Sequence, residues 1–292
     1  MRKILVTGAS GFIGTNLCKF LSSKNFSIKG ISHSNQTEKF PKISLLNLTQ
    51  LNTFFKKNHF DTVIHLASLI ENDDPLKIQN VNYDITMNLL NCCVRNKVPN
   101  FIFASSHLVY GKTNYLPIDE NHSTNPQTPY GISKLIGENL CKLFHNDFDL
   151  NTIILRISSV YGKNQPKSKL IPNFILRSKQ SKSLLLHNYT NGYQLMDMIH
   201  VDDVSNSFYC AIKSKRKFGL YNIATGNSIT VEDIAAKINN IKNSELLIKN
   251  VSKKTDHFLY NTKKAKTELK FSSKIKFENV IKKLYRDINE NN

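Results

Sequence analysis

The segment from Lys3 to Leu17, KILVTGASGFIGTNL, restricts the possible folds more than any other part of the chain. Ile4, Leu5 and Val6 make the short, branched apolar run that a buried strand needs. Thr7 and Gly8 stop the run, Gly11 and Gly14 follow at three-residue steps, and an apolar-periodic segment begins directly afterwards. Strand, glycine turn and helix, in that order, open a dinucleotide-binding βαβ unit. Each glycine has a separate reason: Gly8 allows a tight turn, Gly11 lets backbone approach a pyrophosphate, and Gly14 lets the helix lie close on the strand. The N–H groups that open the helix then face phosphate. The alternative is the same turn with no ligand.

Downstream, apolar runs and helical periods alternate. The helix from Phe12 to about Ser23 is followed by a strand from Phe26 to Ile31. A short helix spans Leu48 to Lys57, and Thr62 to Leu66 forms a third strand whose tail, HLAS at 65–68, carries small residues. A long amphipathic segment, Leu76 to Arg95, leads to a fourth strand at Phe101–Ala104 that ends in Ser105-Ser106. A polar loop with prolines (112–129) precedes a helix from Tyr130 to about Phe144, and Thr152–Leu155 gives a fifth strand. Beyond Gly162 come a basic linker (163–169), a helix at Ile171–Ser178 and a strand at Met198–Val201. A further strand follows at Leu220–Ile223, then a helix from Val231 to Ile238 capped by Thr230. The last stretch reads as helix-rich and Lys-rich. Strands alternating with helices imply an α/β fold, a parallel sheet wound on both faces.

Composition bounds the partners. The 292 residues fit one large α/β domain or a main domain with an appendage. Nothing approaches ~18 consecutive apolar residues, so no membrane span is expected, and an N-terminus running straight into a strand suggests a cytoplasmic protein without a signal peptide. The net charge of +18 raises nucleic acid as a partner, but only six of the 40 basic residues are Arg, and the lysines are scattered. A Lys-rich solvated surface is the better account, and no nucleic-acid partner is expected. Cys18, Cys92, Cys93, Cys141 and Cys210 lack metal-ligand spacing; they read as reduced core or interface residues, and no metal is expected.

Two places carry chemistry. About 20 residues past the glycines, a reader of NAD places a carboxylate on the ribose 2′-hydroxyl. Here Ser32, His33, Ser34 and Asn35 occupy that stretch, with Lys39 nearby, and hydroxyls beside a basic group tolerate a 2′-phosphate better than an Asp does. The expectation is NADP or NAD, leaning to NADP. Second, Tyr130 and Lys134 in YGISK share a helix face. A Tyr acting near neutrality must have its ionisation eased by about 4 kcal/mol, and an ammonium one turn away together with a nicotinamide cation favours phenolate. Ser106, at the fourth strand end, can hydrogen-bond the same substrate oxygen. Tyr209/Lys213 and Tyr260/Lys264 repeat the spacing, but neither follows a Ser-bearing strand end.

GASGFIG, HLAS, SSHLVYG, YGISK and LRISSVYG, in this order, resemble the extended short-chain dehydrogenases/reductases, nearest to the nucleotide-sugar epimerases, ketoreductases and dehydratases. A weaker echo continues through QLMDMIHVDDV and YNIATG. The resemblance implies a Rossmann-type domain at 1–162, rejoined by 196–225, and a small substrate lobe from 163–195 and 226–292. It implies Ser106, Tyr130 and Lys134 as the catalytic set. Gly8, Gly11, Phe12, Ile13 and Gly14 would hold the pyrophosphate, Asn47 would lie near the adenine, and Leu66, Ala67 and Ser68 near the nicotinamide. Ser106, His107, Ser159 and Arg177 would touch a nucleotide-sugar substrate. The long helices of this family pair subunits, so a homodimer is expected, with the Leu89-Leu90-Cys92-Cys93 stripe read as core.

Departures from the family pattern narrow the reaction. Dehydratases carry an acidic pair where His107 and Leu108 stand, which argues against water loss. Met196 occupies a place where many members have Arg, so another cation, Arg177 or a Lys, would pair with a diphosphate. His107 either tunes the pocket or is a strand-end His bonded to backbone. Asp202-Asp203 reads as a helix N-cap, with His200 as packing. The missing acid after the second strand and a short C-terminal lobe lean the reading to a 4-ketoreductase. The alternatives are a 4-epimerase holding NAD and, from another class, a non-catalytic dinucleotide sensor or scaffold.

Overall fold

A computed structural model describes residues 1–32, 40–71 and 74–288. The N-terminal half runs β1 (Lys3–Thr7), α1 (Phe12–Ser22), β2 (Ser27–Ile31), α2 (Leu48–Asn58), β3 (Thr62–His65), α3 (Pro75–Arg95), β4 (Asn100–Ser106), α4 (Pro129–Phe148) and β5 (Asn151–Ile157). Next come β6 (Ser159–Tyr161), α5 (Leu170–Lys179), β7 (Leu184–Tyr189), β8 (Leu195–Met196), β9 (Met198–His200), α6 (Val201–Lys213) and β10 (Phe218–Ile223). The chain finishes with β11 (Ile229–Thr230), α7 (Val231–Asn239), β12 (Leu246–Val251) and α8 (Phe277–Asp287).

Six strands form one parallel sheet in the order β10-β5-β4-β3-β1-β2. A parallel sheet needs both faces covered, which is why Ile4, Leu5 and Val6 are all fully buried instead of alternating. One face packs on α1 and α6, through Leu17, Leu21, Val204 and Phe208; the other packs on α2, α3 and α4, through Leu51, Leu89, Leu90 and Phe144. From β1 the chain steps outward to β2, then crosses back to β3 on the other side of β1. Such a reversal opens a crevice at the carboxyl ends of the strands, where α/β sheets bind ligands.

A second core belongs to the lobe: Ile171, Phe174 and Ile175 of α5, Leu184 and Leu186 of β7, Ile234 and Ile238 of α7, and Ile281 and Leu284 of α8. Thr230 caps α7 in a reciprocal box with Asp233. The helix-rich reading of the C-terminal stretch is corrected by β12, which pairs in parallel with β7. Among the described residues, Leu246–Val251 has no polar alternation because neither of its faces is covered.

Two terminal assignments also change. His200, not the acidic pair, is the N-cap of α6, its side chain accepting from the Asp202 N–H at 3.2 Å. Asp203 is buried in the first turn, where Oδ2 accepts from the N–H groups of Lys274 and Ile275 at 3.0 and 2.9 Å and ties the C-terminal segment to the helix. Leu89, Leu90, Cys92 and Cys93 of α3 are core, all buried; the exposed large apolar residues of α3 and α4 are Leu76, Tyr83, Leu143 and Phe148.

Candidate active site

The glycine turn is built as its sequence requires. Gly8 has φ +69°, and a Cβ there would sit 2.8 Å from the Ala67 nitrogen, so only glycine lets the β1 end meet the β3 end. A Cβ on Gly14 would collide with the Gly8 carbonyl, whereas one on Gly11 would meet only Gly8 O at 3.3 Å and otherwise point into open space. That open side leaves room for a pyrophosphate to approach the backbone. Gly11 is the N-cap of α1 with no side-chain cap and no acid in the first turn, which leaves the N–H groups of Phe12, Ile13 and Gly14 available to an anion. The residues therefore fit a dinucleotide. We expect Gly11→Val to leave the melting temperature within a few degrees yet abolish dinucleotide affinity in calorimetric titration, and Gly14→Ala to lower both.

The carboxylate position at the β2 end is held by a hydroxyl pair. Ser32 is buried, and its Oγ lies 2.7 Å from Ser10 Oγ of the glycine turn. His33, Ser34 and Lys39 lie outside the described residues. Asn47 caps α2, with Oδ1 accepting from Gln50 N at 2.9 Å.

Below the crevice runs a chain of hydrogen bonds that the sequence reading missed. His65 is buried between two threonines, Nδ1 2.8 Å from Thr7 Oγ1 and Nε2 3.1 Å from Thr86 Oγ1. Thr86 donates to Asn82 O, so it accepts from Nε2–H; Thr7 then donates to Nδ1 and accepts from the Ala67 N–H. This fixes one neutral tautomer, and burial, with Lys134 adding to it, holds the His65 pKa well below its ordinary value. Asn82 continues the chain: Oδ1 accepts from Leu69 N, and Nδ2 donates to Leu69 O and to Ser133 Oγ. Ser133 Oγ donates to the carbonyl of Tyr130 at 2.8 Å. The loop that carries Leu66, Ala67 and Ser68 is thereby bound to the start of α4.

Thr128 caps α4 and Pro129 occupies its first turn, which places Tyr130 at the helix entrance. Gly131 has no room for a side chain, since a Cβ would approach Leu108 O at 2.7 Å. The turn after β4 is thus pressed against the start of α4, and in that turn Ser106 Oγ accepts from Leu108 N at 3.2 Å. Lys134 is buried, its Nζ 5.0 Å from the Phe103 ring centre and 5.4 Å from that of Tyr130. Ser106, Tyr130, Lys134 and the 66–68 loop are therefore gathered at one end of the sheet, beside the glycine turn.

The electrostatics differ from the sequence expectation. Burial pushes the Tyr130 phenol up to about 12, opposed by the Ser68 hydroxyl, which approaches the phenol without completing a well-formed hydrogen bond. The Ser68 hydroxyl does not offset the burial of this phenol. Burial brings Lys134 down to about 8, against the pull of Cys141 and Glu138. A lowered lysine pKa opposes folding fully below about pH 8, and the opposition fades as pH rises towards the ordinary 10.5. We expect Lys134→Met to raise the melting temperature near pH 7 while removing activity, with the stability gain shrinking above pH 8 in thermal denaturation.

His107 is corrected on one point: its Nδ1 is buried without a hydrogen-bond partner, so the ring is not tied to backbone through that atom. Its ring lies edge-on to Phe258 and Tyr260, and burial lowers its pKa to about 4, so it is neutral at pH 7. Ser159 opens β6 and is half-buried. Arg177, in the last turn of α5, donates through Nε to Ser183 O at 2.7 Å and closes the turn into β7. Met196 is half-buried in β8, opposite Ile229. The adjacent Asp197 accepts from Thr225 N, Thr225 Oγ1 and Gly226 N at 2.8, 2.6 and 2.9 Å. It is a staple between the lobe and the end of β10.

A second unanticipated feature lies behind Ser106. Ser105 Oγ donates to Glu138 Oε1, and Arg156 pairs with the same carboxylate through Nε at 2.9 Å and Nη2 at 2.7 Å. The pair is buried, and the guanidinium stacks 4.7 Å from the Tyr110 ring centre, whose hydroxyl donates to Asn222 of β10. Glu138 follows Tyr130 and Lys134 at helical spacing, and that shared face was the available signal.

Comparison with known proteins agrees with this geometry. The model of the NAD dependent epimerase/dehydratase family matches residues 4–224. A Methanocaldococcus jannaschii protein provisionally named UDP-glucose 4-epimerase is 32% identical over 79% of each chain. The dTDP-4-dehydro-6-deoxyglucose reductase of Escherichia coli is 25% identical, covering 98% of this chain and 97% of its own. The crystal structure of a Bacillus cereus UDP-glucuronic acid 4-epimerase, in complex with UDP-glucuronic acid and NAD, superposes with a TM-score of 0.86 at 26% identity, over 98% of both chains. By its glycine turn, its doubly wound sheet and these matches, the chain belongs to the NAD-dependent epimerase/dehydratase family, the nucleotide-sugar branch of the extended short-chain dehydrogenases/reductases.

Proposed function

We propose that this enzyme is a nucleotide-sugar 4-epimerase that keeps its dinucleotide bound through the cycle. The observation that carries the reading is the gathering of Ser106, Tyr130 and Lys134 beside the 66–68 loop and the glycine turn. The similar UDP-glucuronic acid epimerase is a relative of equal extent, so the lobe is not short for an epimerase and no longer favours a reductase.

A bound nicotinamide dinucleotide would supply a hydride acceptor and a positive charge. Gly8, Gly11, Phe12, Ile13 and Gly14 would hold its pyrophosphate, and Leu66, Ala67 and Ser68 would lie beside the ring. Tyr130 exchanges a proton with the sugar hydroxyl through its phenolic oxygen, Lys134 supports the phenolate, and Ser106 donates to the same sugar oxygen. His107 and Ser159 contact the sugar. His107 is neutral and Leu108 apolar, so the turn lacks the acid and base that water loss demands. A homodimer through α3 and α4 uses the exposed Leu76, Tyr83, Leu143 and Phe148.

The second reading, a 4-ketoreductase using NADPH, is favoured by Ser32, a neutral hydroxyl where a carboxylate would repel a 2′-phosphate. Ser32→Asp is expected to weaken NADPH at least about tenfold relative to NADH, by titration of each. The reaction is tested by identifying the dinucleotide released from denatured protein and by following UDP-glucose and UDP-glucuronic acid chromatographically. Bound NAD with 4-epimer product in the absence of added cofactor supports the epimerase. Consumption of a 4-keto sugar nucleotide only with NADPH supports the reductase. Dinucleotide binding with neither activity would sink both.

A further inference from the structure

No helix among the described residues is long and apolar enough to cross a membrane. The lobe nevertheless presents an apolar face for which the sugar chemistry has no use. In the β7–β12 pair, Leu184 and Leu186 anchor into the lobe core, whereas Leu185, Leu246, Leu247 and Ile248 are 40%, 36%, 51% and 52% exposed. The parallel register sets Leu247 against Leu185 and Lys249 against His187, so these four share the outer face. Leu246 and Ile248, in register with the core-facing Leu184 and Leu186, point to the other side of β12 and are exposed there, because β12 is the edge strand and among the described residues pairs only with β7. Single exposed leucines are ordinary; an edge strand with exposed aliphatics on both sides, joined to a neighbour anchored in the lobe core through Leu184 and Leu186, marks an interaction surface.

Charge selects the occupant. Exposed Lys182 precedes β7, Lys249 lies on the face, and Lys253 and Lys254 follow β12; none is in an ion pair among the described residues. From 178 to 194 the sequence holds no acid, and from 239 to 256 only Glu245 and Asp256. A second copy docked here would set this acid-poor, lysine-bearing face against its like. Nucleic acid would be served by arginines, and neither segment contains one. Aliphatic tips among lysines with long methylene stems suit the boundary between anionic headgroups and acyl chains.

We propose that the outer face and free edge of the β7–β12 pair dock peripherally on an anionic lipid bilayer. The aliphatics enter the interface and the lysines hold the headgroups, leaving the catalytic end of the sheet to its own substrate. The inference is independent of which sugar reaction the enzyme performs.

Co-sedimentation of the full chain with vesicles tests it, using phosphatidylcholine alone and phosphatidylcholine mixed with phosphatidylglycerol. The protein is expected to pellet with the mixed vesicles only, and less as salt rises from about 0.05 to 0.5 M. Two double variants, Leu247→Ser with Ile248→Ser and Lys182→Glu with Lys249→Glu, should each lose about tenfold in vesicle affinity. Dinucleotide affinity should be unchanged in both. Absence of pelleting with the mixed vesicles overturns the proposal, and so does pelleting that both variants retain, which would assign binding to the general basic surface. If the serine pair instead turns a self-associated protein into a monomer, the face belongs to a second copy and the proposal fails. The lysine pair, whose side chains lie outside the core, reports separately should the serine pair unfold.

Discussion

Tyr130→Phe is expected to reduce turnover by about 10²–10⁴-fold while leaving dinucleotide affinity and melting temperature close to wild type. The substitution removes one oxygen. The ring remains beside the Lys134 ammonium, and the backbone carbonyl still accepts from Ser133, so the helix entrance is preserved. Steady-state rates with the nucleotide sugar found by chromatography, paired with calorimetric titration of the dinucleotide, separate chemistry from binding. Loss of affinity equal to the loss of rate would make the phenol a binding group; full turnover would remove it from the mechanism. The size of the effect follows from the electrostatics. With the phenol held at about 12 by burial, a positively charged nicotinamide bound beside it would supply the easier ionisation. A phenylalanine cannot answer that charge at all.

Arg156→Met is expected to destabilise the protein by about 3–5 kcal/mol in denaturant titration, with little change in the slope. The Glu138 carboxylate would stay buried with Ser105 as its remaining side-chain donor. Glu138→Gln should be milder, because an amide still accepts from the guanidinium, which keeps the Tyr110 ring face as well. The informative variant is the pair Glu138→Leu with Arg156→Met. Replacing both charges by apolar groups of similar volume should recover most of the loss. A double variant as unstable as the single one would mean that the pair contributes through the wider network of Tyr110, Asn222 and Glu120.

The parts legible from sequence are those written locally. Ile4-Leu5-Val6 ahead of three spaced glycines fixes a strand, a turn and a helix within a few residues of one another. The same holds for Thr230, read as the cap of α7. Groups whose partners are remote in sequence were not legible. His65 reads as the tail of a strand until Thr7 and Thr86 arrive on either side of its ring. Glu138 draws no reading from the sequence, because the Arg156 that pairs with it arrives only with β5. Asp202-Asp203 has the composition of a cap, yet the backbone enters the helix at His200, and Asp203 is claimed by a loop some seventy positions away. β7 and β12 fail differently: a parallel pair at the edge of a small lobe leaves no alternating pattern to read.

The sixth strand of the sheet has a consequence for biosynthesis. β10 pairs along the whole of β5, from Phe218 opposite Thr152 to Ile223 opposite Ile157, so the sheet closes only after the ribosome has made the polypeptide well past the last catalytic side chain. Until then β5 is a bare, aliphatic edge, and such edges recruit other chains. Asn222, arriving with β10, also supplies the acceptor for Tyr110. The glycine-bearing half is therefore no separable module: a nascent chain halted near Gly162 holds its nucleotide cradle on an unfinished sheet.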